Sequence, residues 1–434
     1  MNLRPCALLC LALALHTVSA AVRNDSANVA ADDTGRLNQA AKDADDGLAT
    51  VALAVWADQG GPMDANALGA IAAFARRGEG YAGRAAIILA TTNRREELIT
   101  ALAGNRSGRH LAAWTLAAWA LFERMDDDAL AEQRIGEGPK GRAIGSALNA
   151  QFGTGAVAGK GGKKAPARPR GKESGLVALA PTIADLLADK DGATRIAAAI
   201  AAAYAGIDDP VVHTALDAAA EKKGPAAAAR LLLHARLGRP IDEAQLREAF
   251  ADKRDQPRTI EVDEVSLSRD PLATPGAAMV CEAIGILGDL TFLPILHDGL
   301  AHKDLRVRID AAHALRRMPH PSSIEPLLAA VKKPRREDWP VLVAVCAALA
   351  DNPDRRSVEP LIELLKSQEK PPTRFRQDVL YALSSIAGNQ FGRTDTKAWA
   401  EWWSQQPADF AVDPAVSSAF RAKYRVQDMS VQQN

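Results

Sequence analysis

Apolar residues recur along most of this chain at the three- and four-residue spacing that places them on one face of a helix. In the N-terminal third this pattern predicts helices over residues 65–78, 95–104 and 110–125, separated by Gly, Asn and Pro. No stretch of useful length in this region alternates apolar and polar residues as a half-buried strand would. The periodicity therefore predicts an all-α protein.

Two segments of the chain nearly repeat one another. LADKDGATRIAAAIAA (187–202) and LAHKDLRVRIDAAHAL (300–315) are identical at nine of sixteen positions, at an offset of 113 residues. Asp191 and Asp304 stand where an N-cap accepts hydrogen bonds from the first helical turn. Each copy is therefore predicted to end one helix, turn at the aspartate and begin the next helix.

An arginine follows each of these aspartates four residues later, on the same helix face. The two are Arg195 and Arg308, and we expect the Asp–Arg pairs to have a structural role. At a spacing of 34 residues the arginine position holds Leu342 and then Arg376. Any ladder of such pairs between repeats is therefore predicted to be interrupted.

The pattern extends into a regular period. Leu315, Leu349 and Leu383 are 34 residues apart, and Pro294, Pro326 and Pro360 in the stretches FLPILHDGL, SIEPLLAAV and SVEPLIELL follow at 32 and 34. Proline fits the first turn of a helix, where its missing N–H would have no partner. One pair of helices cannot bury its own apolar face, so we expect successive pairs to stack into one continuous core.

This combination of period, Asp turn and Pro-Leu-Leu helix resembles the HEAT-repeat family over about residues 176–237 and 276–388. The resemblance implies an α-solenoid of stacked helical hairpins, with first helices on the convex side and second helices on the concave side. The closing phrase GNQFGRTDTKAWAEWW (388–403) is similar to the ends of secreted bacterial HEAT-repeat proteins of unknown function.

The three tryptophans of that closing phrase share one helix face. Trp399, Trp402 and Trp403 stand at i, i+3 and i+4, and we expect them to cover the last open face of the core. An aromatic ligand platform is the alternative, and it requires exposed rings.

The amino-acid composition indicates that the helices approach one another closely. Apolar residues make up 47% of the chain but aromatic residues only 5%, so alanine supplies much of the apolar content. Lys+Arg and Asp+Glu are equal at 53 each, which leaves no global field to attract nucleic acid or an anionic membrane. Cys281 and Cys346 lie in apolar helical stretches and are predicted to be inert buried thiols.

The first twenty residues, MNLRPCALLCLALALHTVSA, predict a signal peptide and hence a secreted or periplasmic protein. Their apolar run is too short to span a bilayer, and no longer run follows. The whole chain is then predicted to consist of a signal peptide (1–20), a divergent N-terminal helical region (21–154), a basic Gly/Pro/Lys-rich linker (155–175), HEAT-like repeats (176–252), an irregular insertion (253–276), HEAT-like repeats with a Trp-rich cap (277–406) and a C-terminal tail (407–434).

Catalytic and cofactor motifs are absent from the sequence. It has no Gly-x-Ser-x-Gly elbow, P-loop, His-Glu-x-x-His or paired Cys-x-x-Cys, and we interpret His297, His302, His313 and His320 as scattered histidines, not metal ligands. No cofactor or metal is predicted. We expect a non-catalytic protein-binding or scaffolding solenoid of the bacterial cell envelope.

Two sets of residues are candidates for partner binding. On the concave second helices these are the charged positions off the leucine stripe, Asp298, Lys332, Lys333, Glu363 and Lys366. In the linker they are the basic residues Lys163, Lys164, Arg168 and Arg170, which can hold an anionic envelope polymer by counterion release. No aromatic residue is interleaved among them to stack on bases, so no specific nucleic-acid binding is expected.

An enzyme or accessory factor is the alternative function. Other helical toroids hold a site inside a helical cavity, and acidic residues such as Asp45, Asp46 and Asp58 of the N-terminal region are its candidates. A deep cavity with carboxylates of strongly shifted pKa would favour this alternative, whereas an open groove without them would favour the scaffold.

Overall fold

The structure is a computed structural model, and it is mainly helical in the part of the chain that it describes. The described residues are 53, 65–75, 85–86, 89–90, 92, 94–135, 175–220, 224–252, 275–332, 339–367, 376–388 and 396–427. Within these ranges it contains seventeen α-helices, four short 3-10 helices and no strand. The all-α prediction is therefore confirmed for this part of the chain.

The α-helices are numbered here in chain order. They are α1 Ala65–Ala75, α2 Arg95–Gly104, α3 Arg109–Ile135, α4 Ala180–Leu187, α5 Gly192–Ala205, α6 Pro210–Ala220, α7 Pro225–Arg236, α8 Glu243–Ala251, α9 Gly276–Leu287, α10 Leu293–Leu300, α11 Leu305–Arg317, α12 Ile324–Lys332, α13 Trp339–Asp351, α14 Val358–Ser367, α15 Arg376–Ala387, α16 Thr396–Ser404 and α17 Pro414–Gln427. The predicted helix over residues 110–125 is α3, which continues ten residues further.

Several predicted segments lie outside the described residues. They include the signal peptide, residues 136–154 of the N-terminal region, the linker up to residue 174, residues 253–274 of the insertion and residues 428–434 of the tail. Among the described residues, the chain forms two compact units. The N-terminal unit holds those from 53 to 125 and from 175 to 280, and the C-terminal unit holds those from 126 to 135 and from 281 to 427.

In the C-terminal unit the helices form two rows. Helices α11, α13, α15 and α17 pack on one another in that order, and so do α10, α12, α14 and α16. Each of α10, α12 and α14 also packs on the helix that follows it, which joins the two rows. We call the row of α10, α12, α14 and α16 the second-helix row and the other the first-helix row.

The N-terminal unit repeats this arrangement over fewer helices. Helix α5 packs on α7 and α4 packs on α6, while α4 contacts α5 and α6 contacts α7. Helices α4 and α6 therefore form the second-helix row of this unit. The helices of both units thus pack neighbour to neighbour, as consecutive pairs must when no pair has a core of its own.

The apolar residues that recur every 34 positions lie inside the first-helix row. Leu315, Leu349 and Leu383 are fully buried, as predicted. Small residues let these helices approach closely: a Cβ added to Gly285 of α9 would lie 2.9 Å from the Cβ of Ala314 in α11. The core is thus built from short side chains at close range.

Both cysteines confirm the prediction of inert thiols. Cys281 and Cys346 are free and fully buried. Burial raises the pKa of each thiol above its ordinary value, which keeps both protonated.

The repeated phrase forms the same turn in both units. Asp191 accepts a hydrogen bond from the backbone N–H of Thr194, and Asp304 accepts from those of Arg306 and Val307, so both are N-caps as predicted.

The arginine of each phrase binds the turn that precedes its own helix. Arg195 Nη1 donates to the carbonyls of Asp189 and Lys190 at 2.7 and 2.8 Å. Arg308 Nη1 donates to the carbonyls at the same two positions of its turn, 302 and 303, at 2.8 and 2.9 Å. The recurring function of this arginine is therefore to satisfy carbonyls beyond the end of the preceding helix.

The recurring arginine is interrupted at the next repeat, as predicted. Leu342 is buried at the arginine position of α13, and Arg376 of α15 again donates to a carbonyl of the preceding helix, that of Leu365, at 3.2 Å. Its Nη2 also donates to the Oγ1 of Thr396 at 3.2 Å, which ties α15 to α16.

One more helix packs on the core after α16, the helix that carries the three tryptophans. Trp399 is fully buried, but α17, inside the segment that we predicted as a tail, packs on α15. Arg421 of α17 donates to the carbonyl of Ala350 at 2.7 Å. Gly388 ends α15 with a φ of 66°, and a Cβ there would collide with Val416 of α17.

Replacing Leu349 by Ala should lower the free energy of unfolding by about 2–5 kcal/mol, because it leaves a cavity in a fully buried site. The matched control is Leu290→Ala, since Leu290 is 48% exposed and should lose no more than about 0.5 kcal/mol. Urea denaturation of the two variants measures both values. Equal losses would contradict the assignment of Leu349 to the core.

Replacing Arg308 by Met should cost about 1.5–3 kcal/mol, because two carbonyls lose a charged donor while the apolar stem of the side chain is kept. Arg317→Met in the same helix is the control, because Arg317 is exposed. Thermal and chemical unfolding should separate the two variants. A loss for Arg317→Met as large as that for Arg308→Met would contradict the turn-anchoring role.

Candidate functional site

Four of the predicted partner-binding residues lie exposed on the second-helix row of the C-terminal unit. Asp298 belongs to α10, Lys332 to α12, and Glu363 and Lys366 to α14. Glu363 and Lys366 form an ion pair at 2.5 Å, so they neutralise each other and do not present two separate charges. The surface that they mark is exposed and of mixed charge.

The other candidates lie outside the described residues. They are Lys333, the linker residues Lys163, Lys164, Arg168 and Arg170, and the acidic residues Asp45, Asp46 and Asp58 of the alternative function.

The structure adds a groove that sequence reasoning missed. It lies between α4 and α6 in the second-helix row of the N-terminal unit, has a volume of about 650 Å³, and is lined mainly by apolar side chains. The lining residues are Pro181, Ala184, Asp185, Pro210, Val211, Thr214, Ala215 and Ala218. Val211 is 59% exposed, the largest exposure among the bulky apolar residues of the described chain.

The start of α6 explains why a valine is exposed here. Asp209 accepts hydrogen bonds from the backbone N–H groups of Val211 and Val212, which fixes the first turn of the helix. Val212 then points into the core and is fully buried, whereas Val211 points outward. The only sequence signal of the groove is this pair of adjacent valines after Pro210, one of them off the buried stripe.

One wall of the groove is held by Arg109 of α3. Its guanidinium contacts the carboxylates of Asp185, at 2.5 Å, and of Asp189, and it donates to the backbone carbonyl of Asp185 at 3.0 Å. Asp185 is also the one charged residue in the lining, and its side chain is 63% exposed. The ion pair therefore fixes α4 and still leaves a carboxylate at the surface of the groove.

The other wall is held by a cluster of Asp208, His213 and Arg239. Arg239 donates to Asp208 at 2.8 Å and lies 3.3 Å from Nδ1 of His213. Nε2 of His213 lies 3.0 Å from Asp208 Oδ1 and 3.0 Å from Nη2 of Arg239, so the three side chains form one hydrogen-bonded cluster. The bond from His213 is the main reason why the pKa of Asp208 is lowered.

Five carboxylates in the described chain have a lowered pKa. They are Asp189, Asp191, Asp208, Asp289 and Asp354. At Asp189, burial acts to raise the pKa, and hydrogen bonds from the Asp191 backbone and from Arg109 outweigh it. A general acid needs the opposite shift. These groups therefore act as ionised caps and ion-pair partners.

The histidines of the C-terminal repeats make local contacts. His297 Nε2 lies 3.0 Å from the Oγ of Ser323, and the ring nitrogens Nδ1 of His302 and His320 accept from the backbone N–H groups of Asp304 and Ser322. In the part of the chain that the structure describes, no group of three or more His, Cys, Asp or Glu residues is placed to hold a metal ion.

Comparison with known proteins assigns no relative. No protein-family model matches the chain, and no curated protein matches it significantly. Within the described ranges, no helix has both the length and the apolarity to cross a membrane.

Burial lowers the pKa of His297 below its ordinary value of about 6.5. As the pH falls through that value the unfolded chain takes up the proton first, so this histidine makes the folded state less stable in acid. His297→Gln, which keeps a group able to bond Ser323, should reduce the loss of unfolding free energy between pH 7.5 and 5.5. Denaturation at both pH values tests this, and an unchanged pH dependence would contradict it.

Proposed function

We propose that this protein is a non-catalytic, HEAT-like α-solenoid that binds a partner protein along its second-helix row. The groove between α4 and α6 is the observation that carries the proposal. It presents Pro181, Pro210 and Val211 to solvent between two anchored helices. These exposed apolar side chains offer a partner a surface that binding would remove from water.

The partner is an apolar segment of a protein that carries a basic side chain. The apolar lining supplies the attraction, because binding removes Val211 and the two prolines from water. Asp185 favours a Lys or Arg of the partner, because Asp185 and Asp189 share the single positive charge of Arg109 and a net negative charge remains beside the groove. The ion pairs that hold both walls keep the cost of ordering the site low.

The charged surface of the C-terminal unit offers contacts of a different kind. Asp298, Glu325, Lys332 and Glu359 are exposed on α10, α12 and α14. Exposed charges of both signs contribute more to partner choice and association rate than to affinity. We assign this surface a supporting role in recognition.

The cellular setting is part of the proposal and follows from the N-terminal sequence. The predicted signal peptide favours an envelope location, secreted or periplasmic. The basic residues of the linker, Lys163, Lys164, Arg168 and Arg170, would then hold an anionic envelope polymer.

The groove is tested by crosslinking and by charge insertion. A photo-crosslinking amino acid at position 214, inside the groove, should trap the partner in envelope extract, and the same residue at position 177 should not. Val211→Lys should weaken binding of that partner about tenfold or more, because it places a charge in the apolar lining and repels the partner's basic side chain.

Val177→Lys is the matched control, since Val177 is exposed in the same unit but is not among the groove-lining residues. Circular dichroism melting confirms that both variants fold. Equal binding by the two variants, or equal crosslinking at positions 177 and 214, would contradict the groove as the binding site.

A further inference from the structure

A second cleft lies in the C-terminal unit, away from the leucine core. It has a volume of about 460 Å³ and lies between the 3-10 turn Arg355–Ser357 and the loop that follows α16. Its lining residues are Pro353, Asp354, Arg355, Arg356, Phe410, Ala411 and Val412. This is within the size range of sites for small molecules and chain ends.

Two of the three charges in the lining neutralise each other. Arg356 Nη2 donates to Asp354 at 2.8 Å, and the Asp354 carboxylate also accepts from the backbone N–H of Arg356 at 2.8 Å. The hydrogen bond from Arg356 is the main reason why the pKa of Asp354 is lowered. This pair holds the turn in shape and leaves the charge of Arg355 uncompensated.

Arg355 pairs with no carboxylate among the described residues. Its guanidinium carbon lies 5.6 Å from the ring centroid of Trp403, and the side chain is half-buried. A guanidinium placed over an indole is held by the ring electrons and keeps its in-plane N–H donors for another partner. A carboxylate is the partner whose planar shape fits those donors.

The wall beside Arg355 is aromatic. Phe410 meets Trp402 and Trp403 edge to face, with centroids 5.8 Å apart in both pairs. All three rings are half-buried, and a hydrogen bond from the N–H of Phe410 to the carbonyl of Pro407 holds the loop at 2.9 Å. This wall, together with Pro353 and Val412, is suited to an apolar body attached to the carboxylate.

The lining limits the charge of the ligand. Its charged residues are Asp354, Arg355 and Arg356, which together carry one net positive charge. One carboxylate neutralises that charge, and a second negative charge on the ligand would be left unpaired. The site therefore favours a single carboxylate over dicarboxylates and phosphates.

We propose that this cleft binds a monocarboxylate with an apolar or aromatic body. The carboxylate receives the in-plane N–H donors of Arg355, and the body lies against Phe410, Val412 and Pro353. Both a free organic acid and the C-terminal residue of a peptide carry this chemistry. The site is separate from the groove between α4 and α6, and neither proposal depends on the other.

Calorimetry and tryptophan fluorescence on the purified full chain test the cleft with 3-phenylpropionate as the probe. The acid should bind saturably, and the neutral 3-phenylpropionamide should bind about tenfold or more weakly because it loses the charged hydrogen bonds. Arg355→Gln should weaken binding of the acid by a similar factor. Arg317→Gln, which changes an exposed arginine of the same unit, should leave binding unchanged.

Two further arms separate the sources of the carboxylate. A short peptide that ends in Phe with a free carboxylate is compared with its C-terminal amide. Binding of peptide and free acid, with loss of the peptide on amidation, supports a chain-end site, whereas binding of the free acid alone supports a small-molecule site. Phe410→Ala should weaken either ligand severalfold, because it removes part of the apolar wall.

Three results would overturn the proposal. They are equal binding of acid and amide, unchanged binding by Arg355→Gln in a protein that melts like wild type, and no saturable binding of either the acid or the peptide.

Discussion

The burial of each helical pair against the next pair is the interaction on which this structure depends. No pair has a core of its own, and the fully buried positions Leu315, Leu349 and Leu383 fall once in each successive first helix. Alanine and glycine make this possible, because short side chains let neighbouring helices approach closely, as Gly285 and Ala314 do. Stability is then shared between neighbours along the row.

Packing of this kind leaves many helix ends near one another, and their backbone groups need partners. Asp191 and Asp304 satisfy donors at helix starts, while Arg195 and Arg308 satisfy carbonyls beyond helix ends. The repeated phrase is thus retained for one physical purpose in both units. Because the backbone groups at the helix ends have partners, the second-helix row can leave apolar side chains such as Val211 exposed for binding.

The sequence was sufficient to predict the helices and their buried stripe, because both follow from local periodicity. It was insufficient for Arg195 and Arg308, because a hydrogen bond to a carbonyl leaves no trace in the identity of the acceptor residue. Helix α17 was missed because its sequence lacks the Asp turn and the Pro-Leu-Leu pattern of the repeats, and its contacts with Gly388 and Ala350 place it. Both clefts were missed because each combines residues that are distant in sequence.

Hydrogen exchange of the full chain carrying Leu349→Ala tests this account most directly. If consecutive pairs share one core, a cavity in α13 should reduce amide protection in α13 and also in its two row neighbours, α11 and α15. Loss of protection in α13 alone, with α11 and α15 as protected as in the wild-type chain, would show that the pairs are independent and would contradict the account.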